Sequence, residues 1–566
     1  MEKGVLMKNF RKLLLLLFAF ELIYAKADPI LKTMNEELNR YYRVLSKAQP
    51  NPLYFLQFEI MDERRFTISA SLGALISENE EHHRYLDVDV RIGSFRLDNT
   101  HEIRGTENYD WWSEPVEVPI DDDQKSLKII LWAETDKNFK SAQERFIRIQ
   151  NERAVKVLES DTSPDFSRAP SEKFLGEIKS ISLDGDLWKR RLKNLSKIFK
   201  DYPWIYNSQV SLSANSLTKY LVNTDGTQLR HCSMRYTIRI FAETMASDGM
   251  ELYLSFPVVV TDSPNLPDEE NLKCQIDSLI ENLDALRNAP VVEPYSGPAI
   301  LVNRACGVFF HEIFGHRIEG HRQKSEFEGQ TFTKKLNERI MPEFISIYDD
   351  PTLEKFNGKD LNGHYLFDDE GVRAQRTTVV ENGVLKGFLM SRSPIANFPK
   401  SNGHGRRQYG KKVVARQGVL YVKSNKEVPF LELRNALIEE CRRQKKPYGL
   451  LFYDIAGGFT MTGRYGPQTF KVIPLLVKRV YIDGRPDEVV RGVDIVGTPL
   501  LSLSKILLTG DDYEIFNGTC GAESGWVPVS AIAPSILVAE IEVEKKAKGQ
   551  ERPPILPAPG EPSRIH

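Results

Sequence analysis

Cysteine is scarce in this chain: Cys232, Cys274, Cys306, Cys441 and Cys520 are the only five in 566 residues. So few and so scattered a set excludes a disulfide framework, and a chain of this length can rely on sizeable apolar cores instead. A buried, inert thiol is the common fate of a lone cysteine, and that reading is given to Cys306 and Cys274. Excess charge is lacking too: 76 Lys and Arg against 78 Asp and Glu leave a net charge of −2, which implies neither a nucleic-acid-binding surface nor an acidic tail. The basic run Lys189-Arg190-Arg191 has acidic neighbours and no interleaved aromatics, the pattern of a solvated helix face. No internal repeat is present.

A long apolar run is also missing at the N terminus. Leu13 to Phe20 falls well short of the about 20 residues that span a bilayer, and Glu21 interrupts it, so no stable membrane anchor is expected. What is there is an export pattern. Lys8, Arg11 and Lys12 precede the apolar stretch, and Ala25-Lys26-Ala27 supplies small residues where a signal peptidase reads. Residues 1–27 are therefore expected to be a cleaved signal peptide, with a mature chain from about Asp28 that is periplasmic or secreted. At the other end, Pro553, Pro554, Pro557, Pro559 and Pro562 mark residues 546–566 as a disordered tail.

Between these ends the periodicity predicts an α+β protein. A helix is expected over 34–48, then strands at 54–61, 65–76 and around Leu86, Val88, Val90 and Ile92. Helices follow at 124–159, rich in charge pairs, and at about 185–201. Strands 233–243 and 250–260, after a turn at Thr224-Asp225-Gly226, lead to a helix over 268–288 with the stripe Leu272, Ile276, Leu279, Leu283 and Leu286. Pro290 and Pro294 mark a boundary. This gives an N-terminal α+β domain (28–294), with helices on a mixed or antiparallel sheet, and a C-terminal β-rich domain (295–545) built from alternating strands and glycine turns.

The second domain opens with the chemistry. Phe309-Phe310-His311-Glu312-Ile313-Phe314-Gly315-His316 places two imidazoles and a carboxylate within one and a half helical turns. Neutral imidazoles bind Zn²⁺, and a neighbouring carboxylate can accept a proton from activated water. The usual His-Glu-x-x-His spacing is four, whereas here it is five, which turns the second ring by about 140° on a regular helix. A π-bulge would restack the rings, and Gly315 would ease it. A buried amphipathic helix with two satisfied histidines fits the flanking apolar residues equally well. His321, five residues further on, makes an all-histidine set conceivable. Downstream, Asn517-Gly518-Thr519-Cys520-Gly521-Ala522 sets a cysteine between glycines, read as a short loop. Ser401 to Arg407, Gly457 and Gly458 are candidates to line a channel, with a plain surface loop as the alternative.

Together with Gly315-His316-Arg317-Ile318-Glu319-Gly320, Phe367-Asp368-Asp369-Glu370-Gly371, Val380 to Gly387 and Gly403-His404-Gly405-Arg406-Arg407, in this order, the chain resembles the TldD/PmbA family of metallopeptidases over roughly 297–543. The resemblance implies that His311, His316 and Cys520 hold one Zn²⁺ per chain, a site that Fe²⁺ or Co²⁺ would also suit, with Glu312 as general base. Bound metal would also protect the odd thiol of Cys520. It further implies peptides or unfolded polypeptides as substrates, cleaved inside a homodimer or a heterodimer with a related subunit. The alternatives from other classes are a non-cutting assembly subunit and a metal-dependent hydrolase of a non-peptide bond.

Overall fold

Alternation governs the N-terminal half of the computed structural model, which describes residues 28–102, 115–155, 161–466 and 468–546. The expected signal segment, the tail from residue 547 and the end of the helix expected over 124–159 lie outside these residues. Strand β1 (Leu53–Ser71) turns back at Leu72-Gly73, both at positive φ (47° and 76°) as a tight hairpin of matching twist requires, into β2 (Ala74–Ser94). That turn is why the strand expected over 65–76 stops at Ser71 and is continuous with 54–61. Strands β3 (Asn207–Asn223), β4 (Gln228–Met245) and β5 (Glu251–Val260) extend the sheet in the order β2-β1-β3-β4-β5, all antiparallel, with short Lys173–Leu175 parallel to β4.

The described α-helices of this half cover one face. Phe58 and Ile60 meet Met34 and Leu38 of α1 (Pro29–Leu45) and Leu131 and Phe146 of α2 (Gln124–Val155). Ile68 and Ala70, on the same side of β1, meet Trp188 and Leu192 of α3 (Gly185–Lys197) and Leu272, Ile276 and Leu283 of α4 (Glu269–Asn288). The stripe expected on α4 is the one buried. Cys274, however, is exposed and not an inert core thiol, because two residues from Leu272 is a rotation of about 200° to the outer side of the helix. The other face of β1 is polar yet buried. Gln57 Nε2 donates to the Asp369 carbonyl at 3.0 Å, and Glu59 accepts from Arg407 at 2.6 Å, which ties this sheet to loops of the C-terminal half.

That half is built around a closed ring of strands. β6 (Tyr295–Leu301) pairs in parallel with β9 (Tyr448–Thr460), which continues through β10 (Phe470–Tyr481) and β11 (Val493–Gly497) to β15 (Ile536–Lys545), and β15, which also holds β12 (Ile506–Gly510), pairs back onto β6. A second sheet holds β7 (Ile345–Asp349), β8 (Val419–Ser424) and the hairpin of β13 (Glu514–Ala522) and β14 (Gly525–Ala533), with β8 and β14 parallel. α5 (Asn303–Ile313) leaves β6 and lies between β9 and that hairpin. From Ala305 to Ile313 every residue of this helix is buried. Val308, Phe309, Phe310 and Ile313 are all at 1% exposure or less, each worth about 1.5–3 kcal/mol of burial. The fold is therefore α+β with a β-rich C-terminal region, as the sequence predicted.

Candidate metal centre

The spacing of five between His311 and His316 is accommodated by a change of helix type. α5 ends at Ile313, Phe314 leaves it at φ −118°, and Gly315–Ile318 form a 3₁₀ turn, with Phe314 N bonded to Phe310 O and Arg317 N to Phe314 O. No π-bulge forms here, because tightening after the helix end brings the second ring round as effectively as widening within it. The rings lie 5.0 Å apart, nearly edge to face. Gly315 serves a different purpose from the one expected of it. Its backbone is not left-handed, but a Cβ there would lie 1.8 Å from Gln417 Oε1.

Cys520 reaches the same point from the opposite wall. It lies within β13, paired with Val527, and not in a loop, because its glycine neighbours are ladder positions of a tight hairpin. Its Sγ is 3.3 Å from His316 Nε2, and the ligand atoms of His311, His316 and Cys520 all lie within 4.8 Å of one another. His311, His316 and Cys520 are respectively 4%, 6% and 5% exposed. Burial alone would push the Cys520 thiol up, yet His316 and His311 beside it bring it well below its usual range. Burial would likewise push His316 down, but Cys520 and Glu319 outweigh it and hold its imidazolium well above the usual value. Cys306, on α5, is pushed up by burial and remains an inert core thiol.

This donor set fits a cation. Two imidazoles and a thiolate converge in a buried site, and buried His311 Nδ1 has no hydrogen-bond partner, a lone pair or proton that the protein leaves unmet. His321 does not join them. It lies beside Glu523, to which its Nε2 is hydrogen-bonded, and their group with Glu319 is already engaged by Arg322.

Glu312 places Oε2 4.0 Å from His316 Nε2 and borders a cavity of about 1150 Å³, lined also by His311, Cys520, Gly457, Phe459 and Trp526. Gly458 makes room for that carboxylate, since a Cβ there would lie 2.9 Å from Glu312 Cγ and 2.7 Å from the Lys471 carbonyl. Of the suggested channel residues, Gly457 and Gly458 line the cavity from strand β9, not from a loop. Ser401 to Arg407 do not border it, and His404 is buried with Nε2 3.2 Å from Asp349. Sequence reasoning missed Arg416 altogether: it is fully buried, and its guanidinium donates to the Cys520 carbonyl at 2.8 Å and to Sγ at 3.2 Å. No local pattern marks it, because Cys520 lies 104 positions away.

Residues 294–545 match the family model described as PmbA/TldA metallopeptidase C-terminal domain. A "Metalloprotease" of Archaeoglobus fulgidus is 33% identical over 270 residues, 46% of this chain and 56% of that protein. A "Zinc metalloprotease TldD homolog" of Saccharolobus solfataricus is 25% identical over 251 residues, 44% of this chain and 51% of the relative. The chain thus spans about half the length of these relatives. The solved structure of TldE from Thermococcus kodakarensis shares the fold, with a TM-score of 0.58 at 13% identity, covering 90% of this chain and all of that one.

Proposed function

We propose, from the membership of residues 294–545 in the TldD/PmbA metallopeptidase family, that this chain is a zinc-dependent peptidase acting on peptides and unfolded polypeptides. The observation that carries the reading is the convergence of His311, His316 and Cys520 beside Glu312 on one large cavity. The three would hold Zn²⁺, which when bound polarises a scissile carbonyl and acidifies water. Glu312 is the general base. It takes the proton of the attacking water and passes it to the departing amine. The absence of a side chain at Gly458 leaves the space that Glu312 occupies, and the burial of the site strengthens every charge interaction within it.

The cavity wall suits an extended chain. β9 pairs with β6 only through Leu450 to Phe452, so among the described residues Gly457 to Thr460 are paired with β10 alone and keep one edge open. A peptide added to that edge would be held by backbone hydrogen bonds that are largely blind to side chains. Phe459 and Trp526, both lining the cavity, are 51% and 63% exposed, a surface suited to cover by a second subunit. We expect at least a dimer by light scattering, and cleavage of a test protein after unfolding but not before. A monomer that cuts both forms at one rate would contradict the enclosed cavity and leave the zinc chemistry standing.

Export belongs to the same proposal. Asp28 caps α1, its Oδ1 accepting from Ile30 N and Leu31 N at 3.0 and 3.1 Å while Arg230 holds its Oδ2 at 2.7 Å. A mature chain beginning there would keep that cap. N-terminal sequencing of the protein from its source should start near Asp28; an intact Met1 terminus in the cytosol would reject export.

A further inference from the structure

Arg416 is among the largest side chains in the molecule with no exposure at all, and a buried guanidinium is costly unless its charge is met by partners. Its side-chain hydrogen bonds all go to Cys520 and to the tip of the hairpin that carries it. Nη2 donates to the Cys520 carbonyl at 2.8 Å and to Cys520 Sγ at 3.2 Å, while Nη1 donates to Ser524 Oγ at 2.7 Å and to the Gly525 carbonyl at 3.0 Å. One guanidinium therefore fixes both the tip of the β13-β14 hairpin and the sulfur it carries. On its other side, Nε lies 3.4 Å from Glu319 Oε1, and that same oxygen lies 3.5 Å from His316 Nδ1. Glu319 is itself wholly buried and is held at its second oxygen by Arg322 Nε at 2.8 Å.

His316 Nε2 is thus hydrogen-bonded to Cys520, while its Nδ1 faces the Glu319 carboxylate at ion-pair distance, 3.5 Å, without a hydrogen bond between them. A carboxylate behind a ligand imidazole fixes the tautomer that leaves the other nitrogen free to bind. The two ligands are 204 positions apart in sequence and sit on separate elements, so their mutual placement depends on a cross-brace. An N–H directed at a thiolate also withdraws electron density from sulfur, which weakens its donation and leaves a bound cation more electrophilic.

We propose that Arg416, acting with Glu319, is a positioning residue of the metal centre: it holds His316 and Cys520 in register and tempers the thiolate's donation to the metal. The proposal rests on the zinc reading above. It is tested on the full mature chain with Arg416→Met, Arg416→Lys and Glu319→Gln, each checked for native secondary structure by circular dichroism. Zinc affinity is measured by competition with a chelator, and the thiolate-to-metal charge-transfer band is recorded after loading with Co²⁺. Affinity should fall about 10–100-fold in Arg416→Met and Glu319→Gln, the usual cost of losing an outer partner, with Arg416→Lys recovering part of it. The cobalt band should shift in both Arg416 variants and stay near its wild-type position in Glu319→Gln, which leaves the N–H···S contact in place. If Arg416→Met does not fold, the other two variants decide. Folded variants with wild-type zinc affinity and an unmoved band would overturn the inference alone; a wild-type chain that binds neither Zn²⁺ nor Co²⁺ would overturn the zinc reading and this inference with it.

Discussion

Cys520→Ser is expected to lose most of its bound metal, while Cys306→Ser retains a full complement. Serine at 520 keeps nearly the size of the side chain but replaces a thiolate, already favoured by its two histidine neighbours, with a hydroxyl that stays neutral. Two imidazoles remain, too few for a stable site, so the loss should exceed the about 10–100-fold that outer contacts contribute. Cys306 is the proper control because it is buried on the same helix as His311 and faces the core. Metal analysis of the two purified proteins decides the matter, and equal metal contents would sink the ligand assignment.

Glu312→Gln should separate binding from turnover. The amide is almost isosteric with the carboxylate, so the space opened by Gly458 still accommodates it and both imidazoles stay where they are. What disappears is the proton acceptor. Metal content should be unchanged while peptide cleavage falls at least about 10²-fold, the scale on which a positioned general base contributes. A metal-replete Glu312→Gln protein with near-normal turnover would contradict the mechanism.

How legible this was in the sequence depended on the range of the interactions involved. The α4 stripe from Leu272 to Leu286 and the alternation around Val88 were readable because a helix face or a strand face repeats within a few residues. The convergence of His311 and His316 was readable because the two lie five residues apart, with Glu312, the proposed base, between them. The conformation that brings them together was not, since a five-residue spacing is compatible with widening a helix or with ending it. The outcome is set by what surrounds Phe314 and Gly315, above all the close approach of Gln417. Cys520 was taken for a loop residue because its glycines carry no period-two signal, whereas its strand is defined by pairing with residues 525 to 533. Arg416 and the clearance that Gly458 gives Glu312 are contacts between segments far apart in the chain, and composition or periodicity carries no trace of them.

The central claim is that one metal, held by two imidazoles and a thiolate beside a carboxylate base, cuts peptide bonds. The most direct measurement is metal stoichiometry and peptide cleavage determined together on the mature wild-type protein and on Glu312→Gln. One Zn²⁺ per chain in both proteins, with cleavage confined to the wild type, is the predicted result. A metal-free wild type that still cleaves, or a metal-loaded wild type that cleaves no peptide, would contradict it.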